Sequence, residues 1–79
     1  MKFVVHIALK DSILDPQGEA ITNSLRSLGF DSINSIRQGK SIEIDLEEEN
    51  YQRGRDIINK MCDKLLVNDV IETFFIESN

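Results

Sequence analysis

The sequence predicts a two-layer α+β fold of element order βαββαβ, with an antiparallel sheet and helices on one face. Two kinds of observation predict it. Runs of period-two apolar spacing, clearest at residues 3–9 and 42–47, mark strands. Between them, apolar residues recur at helical spacing behind good capping residues.

In the first strand the odd positions are Phe3, Val5, Ile7 and Leu9, and the even ones are Val4, His6 and Ala8. Both faces are largely apolar, as in a central strand covered on two sides. Asp15 is a good N-cap, and Pro16 at the first helical position gives up an N–H that would have no partner there. Ile21, Leu25 and Leu28 follow at i, i+4, i+7, and Gly29 suits a helix C-terminus. A second strand is expected over residues 33–38, with a hairpin turn at Gly39 in "RQGK". In the third strand Ile42, Ile44 and Leu46 alternate with Glu43, Asp45 and Glu47. Asn50 caps a second helix, behind carboxylates that suit its positive end. That helix is expected to reach Leu66, with Tyr51, Gly54, Ile58, Met61, Cys62 and Leu65 on one stripe. "VND" breaks it before a fourth strand over residues 70–76. Residues 1–79 read as one domain, without repeat, linker or low-complexity tract.

Helices on one face leave the other face of the sheet open. Val4, Ala8 and one of Phe74 or Phe75 must point there, an unusual apolar patch for a monomer. At 79 residues the core is small, and one cysteine and one histidine supply neither a disulfide nor a plausible zinc site. Self-association is the remaining remedy. The net charge of −5 argues against nucleic acid and anionic membrane as partners. No apolar run approaches a transmembrane span, and no small-residue cleavage site follows "MKFVVHIALK". The expected protein is soluble and cytoplasmic.

No residues form a recognisable catalytic constellation. His6 has apolar strand neighbours and reads as a structural or interface histidine. Cys62, on an apolar helix stripe, reads as a buried, inert thiol. Asp11 and Asp15 are too loosely placed to assign acid and base roles. Arg37 and Lys40 could grip a phosphate or carboxylate, or could decorate a solvated hairpin tip. "LDPQGEA" lacks the several glycines of a phosphate loop. A plain helix start explains Asp15 and Pro16. It leaves Gly18 unexplained, since glycine costs the turn about 1 kcal/mol relative to alanine. Something is expected to pack closely against that turn.

Three ordered fragments, "SILDPQGEAI", "IRQGKSIEI" and "MCDKLLVNDVIE", resemble the PurS family over nearly the whole chain. PurS is the small subunit of bacterial and archaeal phosphoribosylformylglycinamidine synthase. The resemblance implies a ferredoxin-like subdomain, with sheets and segments shared across a dimer. It further implies a non-catalytic subunit that joins the glutaminase PurQ to the ATP-dependent synthetase PurL in purine synthesis and supports ammonia transfer. The chain itself would need no cofactor; ATP, magnesium and glutamine would be used by the partner subunits. Self-association as a dimer or tetramer is implied as well. Carried onto this sequence, the candidate dimer or partner contacts are Lys10, Asp15, Pro16, Gln17, Gly18, Arg37, Gly39, Lys40, Asn68 and Glu72. In the same fragments Leu65, Leu66, Val70 and Ile71 are expected in the core. "LDPQGEA" is read as both a helix start and a docking surface. "EEENYQRGR" and "FFIESN" depart from the family pattern. The same element order also serves RNA-recognition domains, but the acidic "SIEIDLE" strand offers no stacking aromatics. A small-ligand-binding regulatory dimer of ferredoxin-like fold is the alternative function.

Overall fold

The computed structural model describes residues 1–78; residue 79, the last of the expected domain, lies outside the described residues. Five regular elements alternate along the chain: β1 (Lys2–Leu9), α1 (Pro16–Ser27), β2 (Gly39–Asp45), α2 (Tyr51–Met61) and β3 (Glu72–Ser78). A π-turn, Cys62–Leu66, extends α2. The strands form one antiparallel sheet of order β2-β1-β3, with Val5 paired to Ile42 on one side and Ile76 on the other.

Alternation works in β1 as its sequence implies. Phe3, Val5 and Ile7 are buried against Ile58 and Cys62 from α2 and its extension, with Val67 closing the end. Ile42, Ile44, Phe74 and Ile76 from the neighbouring strands pack on the same face. The opposite face carries Val4, His6, Ala8 and Phe75. Among the described residues no helix covers it, and Phe75 is 63% exposed.

The α+β class, the antiparallel sheet and the ferredoxin-like plan hold, but the sheet has three strands among the described residues. No strand forms over residues 33–38. That segment runs back beside α1, where Arg26 donates to the Ile33 carbonyl and the Asp15 carboxylate accepts from the Gln38 N–H. Its half-buried residues, Ile33 and Ile36, are three apart, a spacing that does not match a strand's period of two. Gly39 makes no hairpin turn. It opens β2 opposite Ala8, where an added Cβ would stand 2.7 Å from the Ile7 carbonyl oxygen.

Helix α1 departs further from expectation. No side chain between Ile7 and Ile42 belongs to the core. Helix and return segment together form an arm that leaves the sheet, and the molecule measures 49 × 26 × 14 Å. Its radius of gyration is 16.1 Å, against about 12 Å for a compact chain of this length. The helix is nevertheless well built. Asp15 caps it by accepting from the Gly18 N–H at 3.0 Å. It closes in a Schellman motif, with Gly29 at φ 100°, Gly29 donating to Arg26 and Phe30 to Leu25.

Two core expectations fail beside the π-turn. Leu65 is 84% and Val70 78% exposed, whereas Leu66 and Ile71 are half-buried. Val67 donates to the Cys62 carbonyl five residues back, so this turn holds one residue more than an α-turn. One extra residue rotates the stripe by about 100°, which carries Leu65 outward and brings Val67 into the core. Strand β3 then starts at Glu72, two residues later than expected, leaving Val70 in the preceding turn.

Candidate functional site: the root of the arm

The ten residues singled out from the sequence come from three separated stretches, and the fold gathers them where the arm meets the sheet. Two chain segments cross there, one leaving β1 and one returning to β2. Asp15 is 6% exposed and uses both carboxylate oxygens to bind them together. Oδ1 accepts from the Gly18 N–H at 3.0 Å and Oδ2 from the Gln38 N–H at 2.6 Å. These two bonds, the one to Gln38 first, hold its carboxyl below the usual Asp range against the opposing effect of burial, and the nearby Arg37 charge adds to them.

Gly18 is buried because the returning backbone lies on it. An added Cβ would overlap the Ile36 carbonyl oxygen. The close neighbour expected from the sequence therefore exists, and it is this chain itself. Thr22, also buried, donates its hydroxyl to the Gly18 carbonyl at 2.9 Å.

Arg37 reaches across the gap in the other direction. Its Nη2 donates to the Lys10 carbonyl at 3.0 Å and the Ile13 carbonyl at 2.7 Å. Lys10 in turn donates its N–H to the Ile71 carbonyl, tying the outgoing segment to the residue before β3. Gln17 accepts from the Gln38 amide at 2.9 Å, and Pro16 opens α1 beside it. Lys40 stands 3.7 Å from Glu72, whose other oxygen accepts from the Asn68 N–H. Asn68 shapes the turn before β3, its carbonyl accepting from the Ile71 and Glu72 N–H groups and its side chain from the Val70 N–H. Ile7, Asp15, Gln17, Gly39, Lys40 and Glu72 line a shallow open hollow of about 230 Å³.

Sequence reasoning missed Gln38 and the Ile36 carbonyl. Gln38 contributes through its backbone N–H as well as its side chain, so only its place beside Arg37 and Gly39 signalled it. Elsewhere, His6 lies on the uncovered sheet face, stacked on Phe75 at 4.6 Å and 2.9 Å from a Glu77 oxygen. Cys62 is fully buried, and burial pushes its thiol pKa up, with Asp63 and Asp69 adding to the effect.

The family model of PurS, described as phosphoribosylformylglycinamidine (FGAM) synthase, matches residues 2–79. The chain belongs to the PurS family. It is 40% identical to phosphoribosylformylglycinamidine synthase subunit PurS of Bacillus subtilis over 74 residues, 92% of this chain and 86% of that one. The Synechocystis PurS subunit is 38% identical over 73 residues, 92% of this chain and 73% of that one. The crystal structure of Methanocaldococcus jannaschii PurS aligns with TM-score 0.87 at 37% identity, covering 96% of this chain and 92% of that one. A chain of the Thermotoga maritima PurLQS structure aligns with TM-score 0.88 at 34% identity, covering 96% and 93%. Coverage that high includes the arm, which is therefore part of the shared fold.

Proposed function

We propose that the chain is the non-catalytic PurS subunit of a glutamine-dependent FGAM synthase, joining PurQ to PurL in purine biosynthesis and supporting ammonia transfer between them. Family membership over residues 2–79 carries this reading, and the Thermotoga maritima relative belongs to a structure named PurLQS. In this reading ATP, magnesium and glutamine belong to the chemistry of the partner subunits, and the chain works in the cytoplasm. Among the described residues no helix is long and apolar enough to cross a membrane.

The shape suits a joining role. Accessible surface is 5853 Å², where a compact monomer of 9.0 kDa exposes about 4,900 Å². The excess of roughly 1,000 Å² is comparable to the about 800 Å² that each partner hides in a stable interface. Much of it is apolar: Leu14, Leu28 and Phe30 on the arm and Phe75 on the open sheet face are each more than half exposed. A second copy covering that face and part of the arm and root, with PurL and PurQ meeting the surfaces that remain, accounts for the excess. Lys10, Pro16, Gln17, Arg37, Lys40, Asn68 and Glu72 are the root residues through which those contacts are made or shaped; Asp15, Gly18 and Gly39 support them from within.

Reconstitution tests the reading. Added to cognate PurL and PurQ, the chain is expected to raise glutamine-dependent FGAM formation and leave ammonia-dependent formation by PurL unchanged. Equal glutamine-dependent rates with and without it would contradict the joining role.

A further inference from the structure

Two chain segments cross from sheet to arm, and few contacts other than polar ones hold them at a fixed angle. The apolar core stops at Ile7 and Ile42, so it cannot set the arm's direction. Asp15 joins α1 to the returning segment, within the arm. Arg37 differs from it. Its single Nη2 bridges the Lys10 and Ile13 carbonyls, closing the returning segment onto the outgoing turn. The Lys10 carbonyl accepts from the Ile13 N–H and the Lys10 N–H donates to the Ile71 carbonyl, so the turn that Arg37 grips is anchored to the edge of the sheet. Arg37 is also exposed. Losing it returns two carbonyls to water and leaves no buried group unpaired, so the fold of either part does not depend on it.

We infer that Arg37 is a positioning residue, a latch that fixes the angle between arm and sheet, and that this angle governs how well the subunit couples glutamine hydrolysis to synthesis. The second half rests on the function proposed above. A planar guanidinium suits the task because one nitrogen offers two N–H bonds in fixed directions to two carbonyls. The buried Asp15 carboxylate nearby gains from its positive charge. Lys40 and Glu72, 3.7 Å apart and partly in solvent, are too weakly held to replace it.

Spin labels at Leu28→Cys on the arm and Glu43→Cys on β2 report the angle, with labelled chain diluted into unlabelled chain. Both positions are exposed, while the native Cys62 is buried and stays unlabelled. Arg37→Gln is expected to keep the circular dichroism and melting transition of the parent and to broaden the distance distribution. Arg37→Lys, which keeps a donor of similar reach, is expected to narrow it again. With PurL and PurQ, Arg37→Gln should lower the glutamine-dependent rate by up to about a hundredfold, the scale of a geometric misplacement, without changing the ammonia-dependent rate. An unchanged distance distribution would overturn the latch. A broadened distribution with an undiminished glutamine-dependent rate would overturn its link to coupling. If the parent chain itself fails to support glutamine-dependent synthesis, the proposed function falls, and the spin-label distances alone decide the latch.

Discussion

The sheet with α2 and the arm with its root are held together by different physics. In the sheet body, Phe3, Val5, Ile58 and Cys62 are fully buried, and each strand bonds to a neighbour. In the arm the only buried side chains of α1 and its cap are polar or absent: Asp15, Gly18 and Thr22. Of its apolar residues, Leu14, Leu28 and Phe30 are more than half exposed, and Leu25, Ile33 and Ile36 are only half-buried. The body therefore folds around its own apolar surface. The arm is shaped by hydrogen bonds between polar side chains and the main chain and leaves apolar surface exposed. The proposed joining role uses both: a body that defines position, and an extension that carries exposed apolar surface away from it.

That contrast can be broken most severely from the body. Phe3→Ala removes the largest fully buried side chain and should cost about 3–5 kcal/mol. In a chain of this size, chemical denaturation should then show little or no folded protein. Next in size is the open sheet face, where Ala8→Lys sets a charge against the apolar surface expected to meet a second copy. Analytical ultracentrifugation should show association weakened by about a hundredfold, roughly 2.8 kcal/mol, with circular dichroism unchanged. In the arm, Gly18→Ala should destabilise by about 1–3 kcal/mol through overpacking on the Ile36 carbonyl. A helix start without that neighbour would instead be strengthened by the same substitution, so the sign of the change in melting temperature sharpens the comparison.

The smallest effect concerns pH. Asp15 has a lowered pKa in the folded arm, caused first by the Gln38 N–H and then by the Gly18 N–H. A lowered carboxyl pKa contributes stability that is fully present above its ordinary value of 3.8 and is lost as pH falls through the folded value. Exchange of the Gln38 and Gly18 amides should therefore accelerate in acid, relative to the β1 amides, more than the chemical exchange rate explains. Asp15→Asn should abolish that extra pH dependence, since an amide side chain does not titrate there.

Much of the fold was legible because its signals are local. Alternation in β1, the caps Asp15 and Asn50, and the terminating Gly29 each act within a few residues of themselves, and each stands where the sequence put it. What escaped depended on partners distant in sequence. Residues 33–38 had strand-like composition but no strand to pair with, since α1 and the root bonds claimed them. Leu65 fitted an α-helical stripe until one wide turn at Cys62–Leu66 rotated it out. Gly18 announced a close neighbour without naming it, and only the fold identified the Ile36 backbone. The candidate site was legible as a set of residues, because the three motifs stood out as motifs. Its geometry was not, because the bonds that assemble it use main-chain atoms of Lys10, Ile13, Ile36 and Gln38, which leave no mark on residue type.

Native-state hydrogen exchange across a dilution series tests the division between body and arm most directly. Amides of β1, such as those of Val5 and Ile7, should be the last to exchange at every concentration, because only global unfolding opens them. Amides of α1 and the root, including Gly18 and Gln38, should exchange through smaller openings and lose protection progressively as dilution removes the copy that covers them. Equal protection in the two regions, unchanged by dilution, would contradict the account.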